Sequence, residues 1–329
     1  MSTESPERPT LRTVAAEAGV SIATVSYVLS GHPRAESISQ PTAQRVKAVA
    51  TRLGYRRNDA ARAIRTGKSD LVLLSLNVLA DPWSQAVAAA VSAKVTPLGK
   101  TALIIADGDW RAVLAKRTPD LIFIDHVGRE PELVAELEGF AAQGVQIVAF
   151  SEVLEPRGFD VIRSGAEPRC HLAVEHLLER HTRIGALTSQ RHGARFDAYL
   201  TTMAAAGLPV DRVAKFAPHP EDAYWAAMSL LTQPDRPTAL YCTTDFAAIA
   251  AIRAAHRLRL DVPGDLAVIG VGNTPDGERV DPSLSTVGPV GFNEALAEII
   301  AGRLTNREGA PGEVFDFPWQ LIVRESTGG

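Results

Sequence analysis

The chain is poor in cysteine and has no long hydrophobic run. Its two cysteines, Cys170 and Cys242, are isolated and lack the spacing of a metal site, so no disulfide framework is expected. No apolar run reaches the roughly 18 residues that a membrane span requires. The N-terminal stretch MSTESPERPT has no apolar signal-peptide core. These absences favour a cytoplasmic location without a membrane anchor.

Positive charge is scarce overall but concentrated at one end. The net charge of −4 comes from 34 basic and 38 acidic residues over 329 positions. Residues 1–68 hold 11 Lys and Arg against 5 Asp and Glu, whereas the remainder holds 23 against 33. A basic head on an acidic body indicates a polyanionic partner for the head, although a solvated charged terminus is the alternative. The length predicts about two domains.

Two short helices are predicted at the start of the chain, separated by a glycine. Apolar residues recur at helical spacing from Leu11 to Ala18. Gly19 is placed to end this helix, and Ser21 to cap the next one through its hydroxyl. The second helix has its apolar stripe within residues 25–29. Neither helix is long enough to be stable alone, so they must pack together.

A third helix follows and completes a recognisable motif. Ser39 is the expected cap, Pro41 fits the first turn, the apolar face lies within residues 46–53, and Gly54 closes the helix. Three short helices with a tight turn between the first two form a helix-turn-helix. An ordinary three-helix bundle is the alternative.

The second helix would present its N-terminal part to DNA. A recognition helix enters the major groove with that end at the base edges. Ser and Thr hydroxyls suit phosphate contacts, and Ile22 and Ala23 suit apolar contacts such as a thymine methyl group. The residues expected to be exposed for this purpose are Ser21, Ile22, Ala23, Thr24, Ser26 and Tyr27.

The stretches TLRTVAAEAGVSIATVSYVLSG and TAQRVKAVATRLGYRRNDAARAIRTGKS resemble the DNA-binding head of the LacI/GalR family of bacterial repressors. The resemblance implies a hinge helix that orders on DNA and wedges apolar side chains into the minor groove. Ile64 replaces the usual leucine of that helix, and Arg57 replaces the common proline before it. The residues assigned to DNA contact are Thr10, Leu11, Ser21, Ile22, Ala23, Thr24, Ser26, Tyr27, Ser30, Tyr55, Asn58, Ala61 and Ile64.

Beyond residue 70, near-continuous apolar runs alternate with helical patterns. Strand candidates are LVLLSLNV, TALIIAD, DLIFIDH, VQIVAFSE, RIGALTS, TALYCTT and LAVIGVG. Helix candidates are WSQAVAAAVSAKV, PELVAELEGFAAQG, EPRCHLAVEHLLERH and DFAAIAAIRAAHRL. This alternation predicts doubly wound α/β structure with parallel sheets. The strands outnumber those of one compact sheet, so two subdomains with a ligand cleft between them are expected.

The body also resembles the family, whose regulatory core is similar to periplasmic sugar-binding proteins. The resemblance implies a head at 1–57, a hinge helix at 58–68 and an effector-binding core at 69–329. Within the core, the N-subdomain is expected at about 69–160 and 289–317, and the C-subdomain at about 161–288 and 318–329. The chain stops soon after VREST, so a homodimer on a palindromic operator is implied rather than a tetramer.

The implied effector site departs from the family pattern. Arg195 and Asp245 match residues that bind sugars in relatives, and Trp83 lies where relatives place an aromatic ring over the ligand, with simple packing as the alternative. Ser151 and Asn273 replace acidic residues, and the stretch ADGDWRAVLAKRTPD is shorter than the usual strand–helix unit. Candidate effector-binding residues are therefore Trp83, Ser151, Arg195, Asp245 and Asn273.

Other constellations do not indicate catalysis. His171, His176 and His181 recur every five residues, which places helical neighbours about 140° apart and on no common metal-binding face. Gly270 and Gly272 lack the third glycine of a dinucleotide-binding loop. No G-x-S-x-G, P-loop or H-E-x-x-H motif occurs. We therefore expect no metal, no cofactor and no enzymatic activity.

The sequence thus predicts a DNA-binding repressor controlled by a sugar-like or other polar metabolite. An enzyme carrying a DNA-binding head is the first rival, but no convergent acid, base or nucleophile is evident. A periplasmic binding protein is the second, and it would need a signal peptide and no helix-turn-helix. A regulator whose pocket has lost its ligand stays open because of the departures at Ser151 and Asn273.

Overall fold

The computed structural model describes residues 9–30, 33–55, 63, 67–77, 81–106, 109–125, 127–164, 169–189, 193–217, 219–306 and 312–329. The chain divides into two compact units, a head of Met1–Ser69 and a body of Asp70–Gly329.

The described part of the head contains three α-helices and one turn of 3₁₀-helix. The helices are α1 (Leu11–Ala18), α2 (Ile22–Ser30) and α3 (Gln40–Arg52), with the 3₁₀ turn at Pro33–Ser37. Over the described residues no single helix is long and apolar enough to span a membrane; α1 and α2 meet that test only as a pair, bent by 106° at their junction. That angle lies in the range of a helix-turn-helix.

Local signals position these helices largely as predicted. Thr10 caps α1 by accepting the backbone N–H of Thr13 at 3.2 Å, and Gly19 ends it in the left-handed region at φ +64°. The Ser21 hydroxyl accepts the backbone N–H of Thr24 at 3.1 Å and so caps α2. Ser39 precedes α3, but its hydroxyl donates to the Thr42 hydroxyl instead of accepting a backbone N–H. The predicted cap at Ser39 is therefore at the right position with the wrong bond.

One apolar cluster holds the head together. The buried side chains in it are drawn from all three helices and are Val14, Ala15, Ala18, Val25, Val28, Val46, Val49 and Ala50. Each helix contributes one stripe, which is why helices of 8, 9 and 13 residues are stable here.

The body alternates strands and helices. Its strands are β1 (Leu71–Leu76), β2 (Thr101–Ala106), β3 (Leu121–Ile124), β4 (Gln146–Phe150), β5 (Asp160–Arg163), β6 (Ile184–Thr188), β7 (Val213–Lys215), β8 (Ala239–Cys242), β9 (Ala267–Val271), β10 (Ser285–Gly288), β11 (Val314–Asp316) and β12 (Gln320–Ile322). Its helices are α4 (Pro82–Val95), α5 (Trp110–Leu114), α6 (Pro131–Ala142), α7 (His171–Leu178), α8 (Gly193–Ala205), α9 (Pro220–Leu231), α10 (Asp245–Arg257), α11 (Pro275–Arg279) and α12 (Phe292–Thr305). Short 3₁₀ turns lie at Thr96–Leu98 and Glu325–Thr327.

These strands form two six-stranded sheets, one in each lobe. The first lobe has the order β11-β5-β4-β3-β1-β2, and the second has β12-β10-β9-β8-β6-β7. All pairs are parallel except β10 with β12. The predicted fold of two doubly wound parallel sheets is confirmed.

The chain passes between the lobes three times. It leaves the first sheet after β5, returns to it after β10, and leaves it again after β11. Because β5 pairs with β4, residues 161–163 belong to the first sheet, whereas the sequence prediction ended the N-subdomain at about residue 160.

The edge strand β2 is poorly covered. Leu103 and Ile104, which point to opposite faces of the sheet, are each 41% exposed. Helix α5, which follows β2, has only five residues, in keeping with the shortened strand–helix unit predicted there. An apolar edge strand therefore lies open at the end of the first sheet.

Candidate DNA-binding face and interlobe site

The N-terminal turn of α2 forms an exposed surface on the head. Ser21, Ile22 and Ala23 are exposed, and Ile22 retains 44% of its accessible surface. Thr24, Ser26 and Tyr27, predicted to be exposed, are half-buried instead. The Thr24 hydroxyl lies 2.9 Å from that of Ser21, and the Tyr27 hydroxyl accepts from Arg34, so these two side chains are engaged within the head. The surface available at the start of α2 is accordingly small and mainly apolar.

An arginine that the sequence reasoning missed lies beside this surface. The Arg34 guanidinium donates to the Tyr27 hydroxyl at 3.3 Å and lies 6.0 Å from the centre of its ring. Ser30 is exposed, and its hydroxyl donates to the Tyr27 carbonyl at 3.3 Å. In the sequence, only the basic character of Arg34 and its separation of seven residues from Tyr27 could have indicated this contact.

The remaining predicted DNA contacts differ in their surroundings. Thr10 is exposed, whereas Leu11 and Tyr55 are half-buried and pack on the apolar cluster of the head. Asn58, Ala61 and Ile64, the predicted hinge residues, lie outside the described residues.

In the body, Asp245 is the most deeply buried of the predicted effector residues. Its carboxylate accepts the backbone N–H of Thr274 and the hydroxyl of Thr286, both at 2.6 Å. Burial raises the pKa of Asp245 above its ordinary 3.8, against hydrogen bonds from Thr274 and Thr286 and the charge of Arg195, which lower it. The preceding Thr244 caps α10 by accepting the backbone N–H of Ala247 at 3.2 Å.

The glycines of VIGVG make room for this carboxylate. A Cβ atom on Gly270 would lie 2.4 Å from Asp245 Oδ1, and one on Gly288 would lie 2.6 Å from the backbone of Gly272. Gly272 itself has φ +138°, which L side chains rarely adopt. The glycine pattern therefore serves close packing around Asp245.

Arg195 joins several groups near the same place. Its guanidinium donates to the Thr243 carbonyl at 2.9 Å and lies 5.0 Å from the centre of the Trp319 ring. Asp81, which caps α4 by accepting the backbone N–H of Trp83 at 2.9 Å, belongs to the other lobe. Burial raises the pKa of Asp81; the Trp83 N–H and Arg195 lower it, and Asp245 raises it further. Charged groups from both lobes thus interact here.

Some buried polar atoms at this junction have no hydrogen-bond partner among the described residues. They are the hydroxyl oxygens of Thr243 and Thr274, the indole nitrogen of Trp319 and the Oδ1 atom of Asn293. Such atoms are uncommon in folded proteins and each calls for a partner.

Two predicted effector residues are engaged within the protein. Ser151 donates to the Val127 carbonyl at 2.6 Å and accepts the backbone N–H groups of Val153 and Leu154 at 3.3 Å. Asn273 donates to the Pro289 carbonyl at 2.8 Å and accepts from Arg324 at 3.0 Å. The polar atoms of both side chains are used to hold loops.

Trp83 belongs to an aromatic group in the first lobe. Its ring lies 6.0 Å from Phe150 and 5.9 Å from Phe292, and Phe292 lies 5.1 Å from Phe317. The side chain is half-buried against the apolar cluster beneath α4 and α12. These contacts favour the packing alternative for Trp83, with one part of the ring still accessible.

A cavity of about 380 Å³ lies next to this group. It is bordered by one face of α4, by α11 of the second lobe and by the first turn of α12. Its lining consists of Pro82, Gln85, Ala86, Ala89, Ala90, Pro275, Asp276, Arg279, Asn293 and Glu294. The volume suits a small organic molecule.

A helix-turn-helix head followed in the same chain by a bilobed α/β body is the architecture of a class of DNA-binding regulators. Residues 10–58 match the family model of bacterial regulatory proteins of the lacI family, and residues 174–327 match the model of the periplasmic binding protein-like domain. The HTH-type transcriptional repressor PurR of Yersinia pestis bv. Antiqua (strain Antiqua) is 28% identical over 97% of this chain and 96% of its own length. The chain thus carries a lacI-family DNA-binding domain followed by a periplasmic binding protein-like domain, and it is a DNA-binding transcriptional regulator.

Solved structures agree with this fold. The lac repressor dimer bound to operator and the anti-inducer ONPF has a TM-score of 0.69 at 22% identity, over 98% of this chain and 99% of that one. The transcriptional regulator CelR–cellobiose complex has a TM-score of 0.62 at 23% identity, over 97% of this chain and 100% of that one. At these identities the likeness establishes the fold.

Proposed function

We propose that this regulator is a repressor that binds a palindromic operator as a homodimer and responds to a small polar molecule between its lobes. The observation that carries the proposal is the exposed N-terminal turn of α2, with Ile22 foremost, on a head whose sequence is basic. A helix end of this kind reads base edges in the major groove.

The DNA contacts follow from the chemistry of that surface. Ile22 and Ala23 offer apolar contact to thymine methyl groups, and the exposed Arg34 offers a cation to a phosphate. The hinge at 58–68, with Asn58, Ala61 and Ile64, would add a minor-groove contact from each chain. The lac repressor structure, a dimer on its operator, supports this arrangement by analogy of fold.

The open edge of β2 supports dimer formation. Leu103 and Ile104 expose apolar surface on both faces of a terminal strand, and such edges either pair or are protected. Pairing of two copies about a two-fold axis would cover this edge in both chains. A dimer with two-fold symmetry matches an operator that has the same symmetry.

Control by a small molecule is supported by the bilobed body. Three crossings join the lobes, so a change in their relative angle needs only small rotations in three short segments. Such a change would move or disorder the hinge and alter operator affinity, a coupling typically worth about 1–3 kcal/mol. The cellobiose complex of CelR, a protein of the same fold, supports a sugar or another polar metabolite as the effector class.

In-vitro selection of random duplex DNA by the full chain tests the operator part of this proposal. Selection is run at fixed salt because phosphate contacts make affinity salt-dependent. We expect enrichment of a palindrome with a flexible central step. Enrichment of nothing above background by a folded protein would contradict sequence-specific binding unaided by a corepressor.

A further inference from the structure

We infer that an ionic triad of Asp70, Lys100 and Asp120 anchors the linker that joins the head to the body, and thereby determines how selectively a dimer binds half-sites at one spacing. All three residues belong to the body, and Asp70 is its first residue. The anchor is argued from the contacts of the triad. Its consequence for operator binding rests on the proposed function.

The triad lies at one edge of the first sheet. Asp70, Lys100 and Asp120 each stand immediately before a strand, namely β1, β2 and β3. These strands are neighbours in the order β3-β1-β2 and run parallel, so the residues that precede them lie side by side. The chain from the head enters the sheet at the middle one of these three positions. Its point of entry is therefore flanked on both sides.

Lys100 joins the two carboxylates. Its Nζ atom lies 2.7 Å from Asp70 Oδ1 and 2.8 Å from Asp120 Oδ2. The side chains of Lys100 and Asp120 are only 11% and 2% exposed, so salt screens their interaction little. Burial lowers the pKa of Lys100, but its bonds to Asp120 and Asp70 together raise it by more, which keeps the ammonium charged at neutral pH.

Backbone hydrogen bonds hold the same edge. The Thr101 N–H donates to the Asp70 carbonyl at 2.8 Å, and the Asp120 N–H donates to the Leu71 carbonyl at 2.8 Å. Asp70 itself has φ +59°, a left-handed conformation that residues other than glycine adopt rarely. The backbone and the side chain of Asp70 are thus both held where the chain enters the body.

The triad contributes geometry more than stability. A buried ion pair gains little free energy over apolar side chains of similar volume, because desolvation of the charges offsets their attraction. The effect of the triad is to hold Asp70, the residue from which the linker leaves the sheet, in a single arrangement. Asp70 is accordingly a positioning residue for operator binding.

A fixed point of entry matters when two heads bind one duplex. After the first head has bound, the second binds in an intramolecular step, and its effective concentration depends on the reach and stiffness of the linkers. A linker that is held at one end samples fewer positions than a linker that swings from a loose end. The anchored dimer therefore favours half-sites at one spacing over half-sites at another.

A substitution at Asp70 tests the triad without leaving a buried charge unpaired. Asp70→Gly removes one carboxylate, keeps the Lys100–Asp120 pair, and accepts the left-handed backbone without strain. Asp70→Asn is the conservative variant, because its amide oxygen still accepts from Lys100 and asparagine tolerates this conformation. Arg259→Gly is the matched control, since it places a glycine at an exposed residue of φ +60° in the second lobe.

Three duplexes are titrated with each protein at fixed salt: the selected palindrome, the palindrome with one half-site scrambled, and the palindrome with two base pairs added at its centre. The added base pairs turn one half-site by roughly 70° relative to the other. For Asp70→Gly we expect unchanged affinity for the half-scrambled duplex, at least about a threefold loss on the palindrome, and weaker discrimination against the lengthened duplex. Asp70→Asn should lie nearer the wild type, and Arg259→Gly should equal it. A merely structural role of Asp70 would lower all three affinities together.

Hydrogen–deuterium exchange tests the anchor apart from DNA. Because the Thr101 N–H donates to the Asp70 carbonyl, it should exchange faster in Asp70→Gly than in the wild type, whereas the amides of β8 in the second lobe should not change. Thermal unfolding shows that each variant is folded. Unchanged exchange at Thr101, or an unchanged ratio of palindrome to half-scrambled affinity in folded Asp70→Gly, overturns the inference.

The wild type separates this inference from the proposed function. Equal affinity of the wild type for the intact and half-scrambled duplexes contradicts the proposed function and, with it, the consequence drawn here for operator binding. Exchange at Thr101 then decides the anchor alone. A wild type that prefers the palindrome, with an Asp70→Gly variant that keeps the full preference, overturns the role of the triad and leaves the proposed function in place.

Discussion

Asp245 shows how a buried carboxylate is supported by its surroundings. It accepts hydrogen bonds from Thr274 and Thr286, so removal of the carboxylate leaves both donors without an acceptor. We expect Asp245→Ala to lower the free energy of unfolding by about 1–3 kcal/mol, and Asp245→Asn to lower it much less because an amide oxygen still accepts one donor. Urea unfolding near neutral pH measures both. Equal losses in the two variants would contradict this account of Asp245.

The same residue makes stability depend on pH. Because burial raises the folded-state pKa of Asp245 above 3.8, the folded state binds the proton more tightly than the unfolded state. The resulting stability is fully present below pH 3.8 and is lost as the pH rises through the folded-state pKa. Asp245→Asn should therefore gain stability relative to the wild type as the pH rises from 3.8 through the folded-state pKa of Asp245. Burial also raises the pKa of Asp81, so the free energy of unfolding of the Asp245→Asn variant still depends on pH in the same direction, but less steeply. Urea unfolding of both proteins across the pH range above 3.8 decides, and a variant that loses stability relative to the wild type as the pH rises would contradict the sign.

A glycine is required at position 270 because the carboxylate of Asp245 lies close to its backbone. A Cβ atom there would lie 2.4 Å from the carboxylate, so we expect Gly270→Ala to destabilise the body by about 1–3 kcal/mol. Gly302→Ala is the control, because the space around Gly302 is open and the residue lies inside α12. That change should stabilise by up to about 1 kcal/mol. If thermal unfolding showed both variants to be neutral, the close contact would not be real.

Single residues of the site were only partly predictable. Arg195 and Asp245 were assigned to one site from a family resemblance, and the structure places their charges in mutual interaction. The bonds that engage Ser151 and Asn273 within the protein come from Val127 and Arg324, which are distant in sequence. No local sequence pattern indicates such partners, so only the fold shows that the Ser151 and Asn273 side chains are already hydrogen-bonded within the protein.

At the level of secondary-structure elements, the proposed contact with DNA depends on α2. Ile22→Asp places a negative charge on the exposed first turn, where it would repel phosphates and remove an apolar contact. We expect at least about a tenfold loss of operator affinity, with unchanged thermal stability, since the side chain is exposed. Fluorescence anisotropy with the selected duplex provides the measurement.

Ala48→Asp is the matched control for that experiment. Ala48 is an exposed alanine of α3, so the variant adds the same charge to the same unit at a site not assigned to DNA. A similar loss in both variants would mean that overall charge, and not contact by α2, determines affinity.

Strands made of continuous apolar residues were predicted, and short strands that include charged side chains were not. The strand candidates that became β1, β3, β4, β6, β8 and β9 are apolar runs buried on both faces. The strands β5 and β7 have four and three residues and include charged side chains, so periodicity does not reveal them. Hydrogen bonding of β5 to β4 and of β7 to β6 makes these segments strands, although their own sequences have no strand pattern.

At the level of the whole molecule, the edge of β2 is the proposed dimer contact. Ile104→Lys would place a charge on an apolar edge, a device that blocks strand pairing. We expect this variant to sediment as a monomer at concentrations where the wild type is a dimer. Val210→Lys is the control, since Val210 is 42% exposed against 41% for Ile104 and lies in the second lobe. A dimer that survives Ile104→Lys in a folded protein would place the interface elsewhere.

The two-lobed architecture was predictable because the strand candidates were too many for one sheet. Local sequence pattern does not indicate which sheet receives the later strands, because β11 and β12 are separated by three residues and join different lobes; the boundary at about residue 317 was placed by the family resemblance alone. The cavity near α4 was not predictable either. It arises where Pro82, Pro275 and Asn293, far apart in sequence, come together at the junction of the lobes.

The most direct test of the central claim is the stoichiometry of the full chain on its selected duplex, measured by sedimentation velocity at fixed salt. Two chains per palindromic duplex are predicted, with affinity falling by at least about tenfold when one half-site is scrambled. One chain per duplex, with equal affinity for the intact and half-scrambled sites, would contradict a dimer that reads a palindrome.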